Sequence, residues 1–276
     1  CKRANQYYIQ TWHGNIALKK IEKDAEKNLN AGYVRAAKHD SNMINLLVSG
    51  SKWQSNLYRR SFWYDGEILE CGCPRSDLYY GNNSNIKEKV KRFYNINLNE
   101  KIALYAPTFR GNQNFDCYDM DYKRLRNALK ENWGGEWIIL LRLHPNLTEV
   151  QDKIDFSESI LNGLKYPEIS ELVVASDLVI TDYSTVMFDA MESGKPALLY
   201  ASDIEEYNKD RGTYFNFSEL PFDLASNNEE LESLIRDFTL ENYQRKISVF
   251  INTLGIVQTG KASEVVCNRI KEITNI

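Results

Sequence analysis

The amino-acid sequence predicts an α/β fold in which buried parallel strands alternate with helices. Three observations carry this. Seven short apolar runs are continuous rather than alternating, as strands buried on both faces are. Between them lie segments with helical spacing of apolar residues, the alternation that builds a doubly wound sheet. Polar clusters fall just after several apolar runs, and the carboxyl ends of parallel strands are where open α/β sheets hold ligands.

In chain order, strands are expected at Tyr7–Trp12, Asn45–Ser49, Ile68–Cys71, Ile102–Tyr105, Trp137–Leu143, Leu178–Thr181 and Pro196–Tyr200. Helices are expected over Asn15–Asn28, Ile86–Tyr94, Tyr122–Asn132, Glu168–Ala175, Thr185–Ser193 and Ala262–Ile270. In the first of these, Ala17, Leu18, Ile21 and Ala25 fall on one side and the charged residues face away, as in a surface helix. The Gly/Asn-rich run at 79–86 reads as a linker. It divides the chain into domains at 1–85 and 86–276. The first holds three expected strands, too few for a doubly wound domain, so it is expected to be the end of a longer one. The last helix is expected to fold back across the boundary.

A chain of 276 residues suits two modest domains and buries roughly three-quarters of its unfolded surface without staples. With 43% hydrophobic and 26% charged residues, disorder and collagen are excluded. No apolar run approaches the ~18 residues of a membrane span. The five cysteines, at 1, 71, 73, 117 and 267, lack the paired spacing of a zinc site and read as reduced thiols. A net charge of −4 conceals an asymmetry: residues 1–92 carry +7 and residues 93–276 carry −11. A basic first third suits an anionic partner, whether nucleic acid, a phosphate-rich substrate or a membrane surface.

Four polar clusters end four strands. His13 lies between the first strand and Gly14, where a neutral imidazole serves as a general base near pH 7. Pro107, Thr108 and Arg110 follow Ile102–Tyr105, and the arginine fork suits a phosphate. Arg142 and His144 end Trp137–Leu143 and share one side of the strand, a plausible pair for phosphate. In Ser176–Tyr200, Ser184 and Thr185 are N-cap types at the start of a helix, whose free amides attract an anion. Thr185, Asp189 and Glu192 share one face of that helix, and acidic groups beside an anion site suit ribose hydroxyls. His39, in a polar stretch, reads as a surface residue. There is no Walker A sequence, GxGxxG, HExxH or serine-hydrolase elbow.

These segments resemble the CDP-glycerol glycerophosphotransferases, the teichoic acid primases and polymerases of bacteria. The resemblance rests on Thr11-Trp12-His13-Gly14 with Leu18-Lys19-Lys20, and on Gly72-Cys73-Pro74-Arg75-Ser76-Asp77. It extends through Ala106-Pro107-Thr108-Phe109-Arg110, Leu143-His144-Pro145, Ser176-Asp177 to Phe188-Asp189, Lys195-Pro196, Arg211-Gly212 and Gly260-Lys261-Ala262-Ser263. Two positions depart from the pattern: Thr185 stands where a serine is usual, and Asn15-Ile16-Ala17 where a Thr-Pro pair is more frequent.

The resemblance implies a GT-B-like fold of two Rossmann-like domains with the active site in the cleft, the N-terminal domain incomplete in this chain. It implies transfer of glycerol phosphate from CDP-glycerol to a hydroxyl of a lipid-linked acceptor, a polyprenyl-diphosphate saccharide or glycerol phosphate, with release of CMP. His13 and His144 become the catalytic residues. Arg110, Ser184 and Thr185 hold the donor phosphates, and Asp189, Pro107 and Thr108 the nucleoside. It implies a peripheral protein at the cytoplasmic side of the bacterial cell membrane, which the basic first third suits, and no nucleic acid partner. Trp53, Arg59, Arg60, Phe62, Trp63 and Tyr64 offer either an interfacial patch or aromatic core. No metal site is specified, and Asp182 with Asp189 leaves a magnesium ion open. Alternatives are a CDP-ribitol donor, a nucleotide-sugar glycosyltransferase of the same fold, and a fragment that binds nucleotide without turnover.

Overall fold

The computed structural model of the chain describes residues 2–3, 5–108, 120–143, 154–204 and 212–274. In chain order its strands are β1 (Ile9–Gln10), β2 (Leu46–Ser49), β3 (Glu67–Glu70), β4 (Lys101–Tyr105), β5 (Trp137–Leu141), β6 (Ile160–Asn162), β7 (Leu178–Thr181), β8 (Ala197–Tyr200) and β9 (Leu224–Ala225). Its α-helices are α1 (Ala31–Met43), α2 (Lys52–Ser61), α3 (Ser84–Phe93), α4 (Tyr122–Trp133), α5 (Ile169–Ala175), α6 (Val186–Glu192), α7 (Asn228–Asp237), α8 (Leu240–Leu254) and α9 (Ala262–Thr274). The chain forms two compact units. One comprises Cys1–Gly81, Asn208–Asn216 and Val249–Ile276, the other Asn82–Tyr207 and Phe217–Ser248.

The first unit holds a three-stranded parallel sheet in the order β1-β2-β3. Successive residues of β2 point to opposite faces. Leu47 joins Ile44, Tyr58, Phe62 and Tyr64, whereas Val48 joins Cys71 and Ala262 and Val266 of α9. Ser51 caps α2 by accepting from the Gln54 amide at 3.0 Å. Asp77 caps α9 with both oxygens, accepting from the amides of Ala262 at 2.9 Å and Ser263 at 2.7 Å.

The second unit holds a six-stranded sheet in the order β6-β5-β4-β7-β8-β9, parallel throughout. The chain steps outward from β4 to β5 and β6, then returns to β7 beside β4 and steps out the other way. The order therefore reverses between β4 and β7, the position at which such sheets bind ligands. β5, β7 and β8 are buried along their whole length, as is β4 from Ile102 on. α4 and α7 cover one face through Leu125, Leu129, Leu231 and Ile235.

All seven expected strands are present, several a residue or two shorter and the first cut from six residues to two, and β6 and β9 are additional short edge strands. Two expectations are corrected. Residues 15–28 are not an α-helix. Ile16 and Leu18 are buried at a spacing of two, Lys19 bridges Thr213 in antiparallel fashion, and the Tyr214 amide donates to the Leu18 carbonyl. That pairing claims the backbone groups a helix would use, and only Glu22–Asn28 winds into a 3₁₀ turn. The domain limits also differ. The boundary falls at 81/82, inside the expected linker; the last helix folds back across it as expected, so that Val249–Ile276 belongs to the first unit and not to a domain running 86–276, because α9 fills the face of β2 that α2 leaves open. Of the two readings offered for the aromatic run after Trp53, Phe62 and Tyr64 follow the aromatic core, both being buried.

Candidate active site

In the second unit the two strand ends at the reversal point are laced together. The Thr108 amide donates to Asp182 at 2.9 Å and its hydroxyl at 2.6 Å. The Tyr183 amide donates to the same carboxylate at 2.5 Å, and Thr181 Oγ1 donates to the Ala106 carbonyl at 2.7 Å. Asp182 is 1% exposed, so its carboxylate is a clamp between β4 and β7. This brings Pro107 and Thr108 to the same edge as Ser184 and Thr185. α6 begins at Val186, with Thr185 exposed at the cap position and making no side-chain cap bond. Ser184 Oγ accepts instead from the Val186 amide, at a long 3.4 Å. The hydroxyls of both residues therefore remain largely uncommitted to the helix they precede.

Asp189 and Glu192 are buried, so the acidic face read from the helical wheel is not a solvated edge. Arg142 is engaged with backbone in this arrangement. Its guanidinium donates to the carbonyls of Gly163 at 2.9 Å, Tyr166 at 2.6 Å and Pro167 at 3.3 Å, which ties the turn after β6 to the end of β5. Arg110 and His144 lie outside the described residues.

In the first unit, the loops after β1, β2 and β3 meet at the carboxyl edge of the sheet. His13 follows Trp12, whose φ is 52°, and precedes Gly14 at φ 86°. Its ring stacks on Trp12 with centroids 4.6 Å apart and 26° between planes. Trp12 in turn meets Phe62 edge-on at 4.9 Å. His13 is exposed, yet neighbouring atoms strip water from its imidazole, and the Arg75 guanidinium adds positive charge. Both hold its pKa below the ordinary histidine range of about 6.5, against a backbone hydrogen bond that opposes them. The ring is thus neutral at pH 7, the form that accepts a proton.

The β2–α2 turn packs directly against this loop. Gln54 Oε1 accepts from the Gly50 amide at 3.0 Å, and Nε2 donates to the Gly14 carbonyl at 2.9 Å. Ser51 Oγ donates to the Asn15 carbonyl at 3.3 Å. A Cβ on Gly50 would lie 1.6 Å from Asn15 Oδ1, so glycine permits this approach. Arg75 was visible in the sequence as part of a matching motif. Gln54 carried no signal, being one polar residue in a polar helix. Among the described residues no group of three His, Cys, Asp or Glu side chains is placed to hold a metal ion, and no helix is long and apolar enough to cross a membrane.

Residues 1–272 match the family model described as CDP-Glycerol:Poly(glycerophosphate) glycerophosphotransferase. The chain belongs to this family. Among relatives of this glycerophosphotransferase family member is the teichoic acid poly(glycerol phosphate) polymerase of Bacillus subtilis strain 168, 33% identical over 98% of this chain and 38% of the relative. The chain thus spans about two-fifths of the length of the first curated relatives it matches. Among solved structures, the wall teichoic acid polymerase TagF superposes with a TM-score of 0.82 at 30% identity, over 99% of this chain and 69% of that one. A histidine-to-asparagine variant of TagF soaked with CDPG gives a TM-score of 0.82 at 28% identity, over 99% of this chain and 68% of that one. The α/β fold with parallel sheets is common to the chain and to TagF, in agreement with the GT-B-like class expected from the resemblance.

Proposed function

We propose that this chain transfers glycerol phosphate from CDP-glycerol to a hydroxyl of a lipid-linked, teichoic-acid-type acceptor, releasing CMP. The observation that carries the reading is the family match across residues 1–272. The acceptor is a polyprenyl-diphosphate saccharide or its glycerol phosphate extension. The site of action is the cytoplasmic face of the cell membrane, which the +7 charge of residues 1–92 favours.

In this reading His13 takes the proton of the acceptor hydroxyl as its oxygen attacks the β-phosphorus. The bond from that phosphorus to the bridging oxygen breaks, and CMP carries the electron pair away. His13 is suited to the role because it is neutral at pH 7 and exposed at a strand end. Ser184, Thr185 and Arg110 bind the donor phosphates, and His144 stabilises charge on the departing CMP. Pro107 and Thr108 border the nucleoside, and Asp189 accepts from ribose hydroxyls. A magnesium ion has no assigned ligand pair, since Asp182 is committed to the Thr108 clamp.

The test is acceptor-dependent CMP release from CDP-glycerol, with CDP-ribitol in parallel. Release with CDP-glycerol that requires acceptor is the expected result, and His13→Ala should lower it about 10²–10⁴-fold. Preference for CDP-ribitol would change the donor, and release of a nucleoside diphosphate from a nucleotide sugar would replace the reaction. Near-native turnover of His13→Ala would remove His13 from the chemistry.

A further inference from the structure

We propose that Gln54 is a positioning residue for His13, its buried carboxamide locking the Gly14 turn to the β2–α2 turn so that the imidazole keeps one orientation against Trp12. Gln54 is 1% exposed and sits in the first turn of α2. Its two amide atoms do different work: Oε1 accepts from Gly50 at 3.0 Å while Nε2 donates to the Gly14 carbonyl at 2.9 Å. A neutral amide is the side chain that supplies both a donor and an acceptor at this length. A glutamate would turn an oxygen toward the Gly14 carbonyl, and a methionine would leave both backbone groups without their partner.

The turn it holds is strained. A bulky residue at φ 52°, as Trp12 is, costs about 1–3 kcal/mol and persists only where the surroundings over-determine it. Here both ends of the Trp12–Gly14 segment are fixed. On one side the Trp12 amide donates to Gln10 Oε1 at 2.9 Å and its ring abuts Phe62. On the other side the Gly14 carbonyl is held by Gln54. The residue between the two anchors is His13.

The rate arm of the test rests on the reading of His13 as the base; the spectroscopic arm does not. The chain has three histidines, so its imidazole resonances form a simple spectrum, and His13→Ala identifies the His13 signal. In the native protein the Trp12 ring current displaces that signal. In folded Gln54→Met it should move toward the position of exposed His39. Turnover should fall roughly 10–10²-fold, the cost of misplacing a reacting group, with CDP-glycerol affinity unchanged. In a His13→Ala background, Gln54→Met should cause no further loss, because a residue that acts through another is not additive with it. An unmoved His13 signal in folded Gln54→Met, or a full additional loss in the double variant, would overturn the proposal. Gln54→Asn keeps the amide one methylene short of Gly14 and serves for the same readings if the methionine variant does not fold. Near-native turnover of His13→Ala would defeat the base reading alone and leave the resonance test standing.

Discussion

Gly50→Ala probes the packing of the His13 loop with a single added methyl. Gly50 is not among the glycines with positive φ, so the substitution tests space rather than backbone conformation. The new Cβ would sit 1.6 Å from Asn15 Oδ1, 2.3 Å from its Cγ and 2.8 Å from its Cβ. Ordinary contact begins at 3.4 Å, so Asn15 must retreat by about 2 Å. It has no easy route. Asn15 is 2% exposed, its Nδ2 donates to Ser76 Oγ at 3.4 Å, and its carbonyl accepts from Ser51 at 3.3 Å. Gly14 before it is held by Gln54. The strain therefore passes into the backbone that carries His13. Overpacking of this kind costs about 1–3 kcal/mol, and a displacement of ~1 Å at a reacting group costs about 10²-fold in rate. We expect kcat for CMP release to fall about 10²-fold and the first unit to melt at lower temperature. CDP-glycerol affinity by calorimetry should stay within about twofold, because the residues assigned to the donor belong to the other unit. A variant with lowered stability and native kcat would refute the link between this packing and the chemistry; native values of both would refute the packing itself.

Asp182→Ala should lower the stability of the second unit by about 2–4 kcal/mol in urea unfolding, since the Thr108 and Tyr183 amides lose their acceptor; an unchanged melt would show that Asp182 is not the clamp. Arg142→Met should cost roughly 2 kcal/mol and leave CDP-glycerol affinity unchanged, because the guanidinium serves backbone carbonyls; a tenfold loss of affinity with unaltered stability would return Arg142 to the phosphate site. The acid limb of kcat/KM should lie below pH 6.5, since desolvation and then Arg75 depress the His13 pKa, and Arg75→Ala should move it upward. The same depression has a stability counterpart: the unfolded chain binds the proton more readily, so stability present above pH 6.5 is lost as pH falls through the folded-state pKa. An acid limb that Arg75→Ala leaves in place would assign it to another group.

The fold was legible where burial is two-sided and local. β4, β5, β7 and β8 are continuous apolar runs because both faces of these strands are buried, and each lies within two residues of its expected limits. β6 and β9, of three and two residues, are too short to show any period. The segment after His13 departs from the expected helix because Leu18, Ile21 and Ala25 mimic helical spacing, whereas the strand-like partner that claims its backbone, Thr213–Tyr214, lies nearly 200 residues away. The candidate site divides along the same line. Residues assigned to substrate follow strands, so His13, Thr108, Ser184 and Thr185 are proposed by locating strand ends. Arg142 follows a strand too, but its duty is to carbonyls of a turn about twenty residues on, which local sequence does not reveal. Gln54 is the converse case. Its burial and both its hydrogen bonds depend on Gly14 and Gly50, glycines from two separate turns, and nothing in the run Lys52–Ser61 marks one polar residue as interior. Groups that meet a ligand have a fixed address in a parallel sheet, whereas groups that hold them in place are defined by which distant segments the fold brings together. A substitution survey guided by sequence motifs alone would therefore test His13 and pass over the amide that orients it.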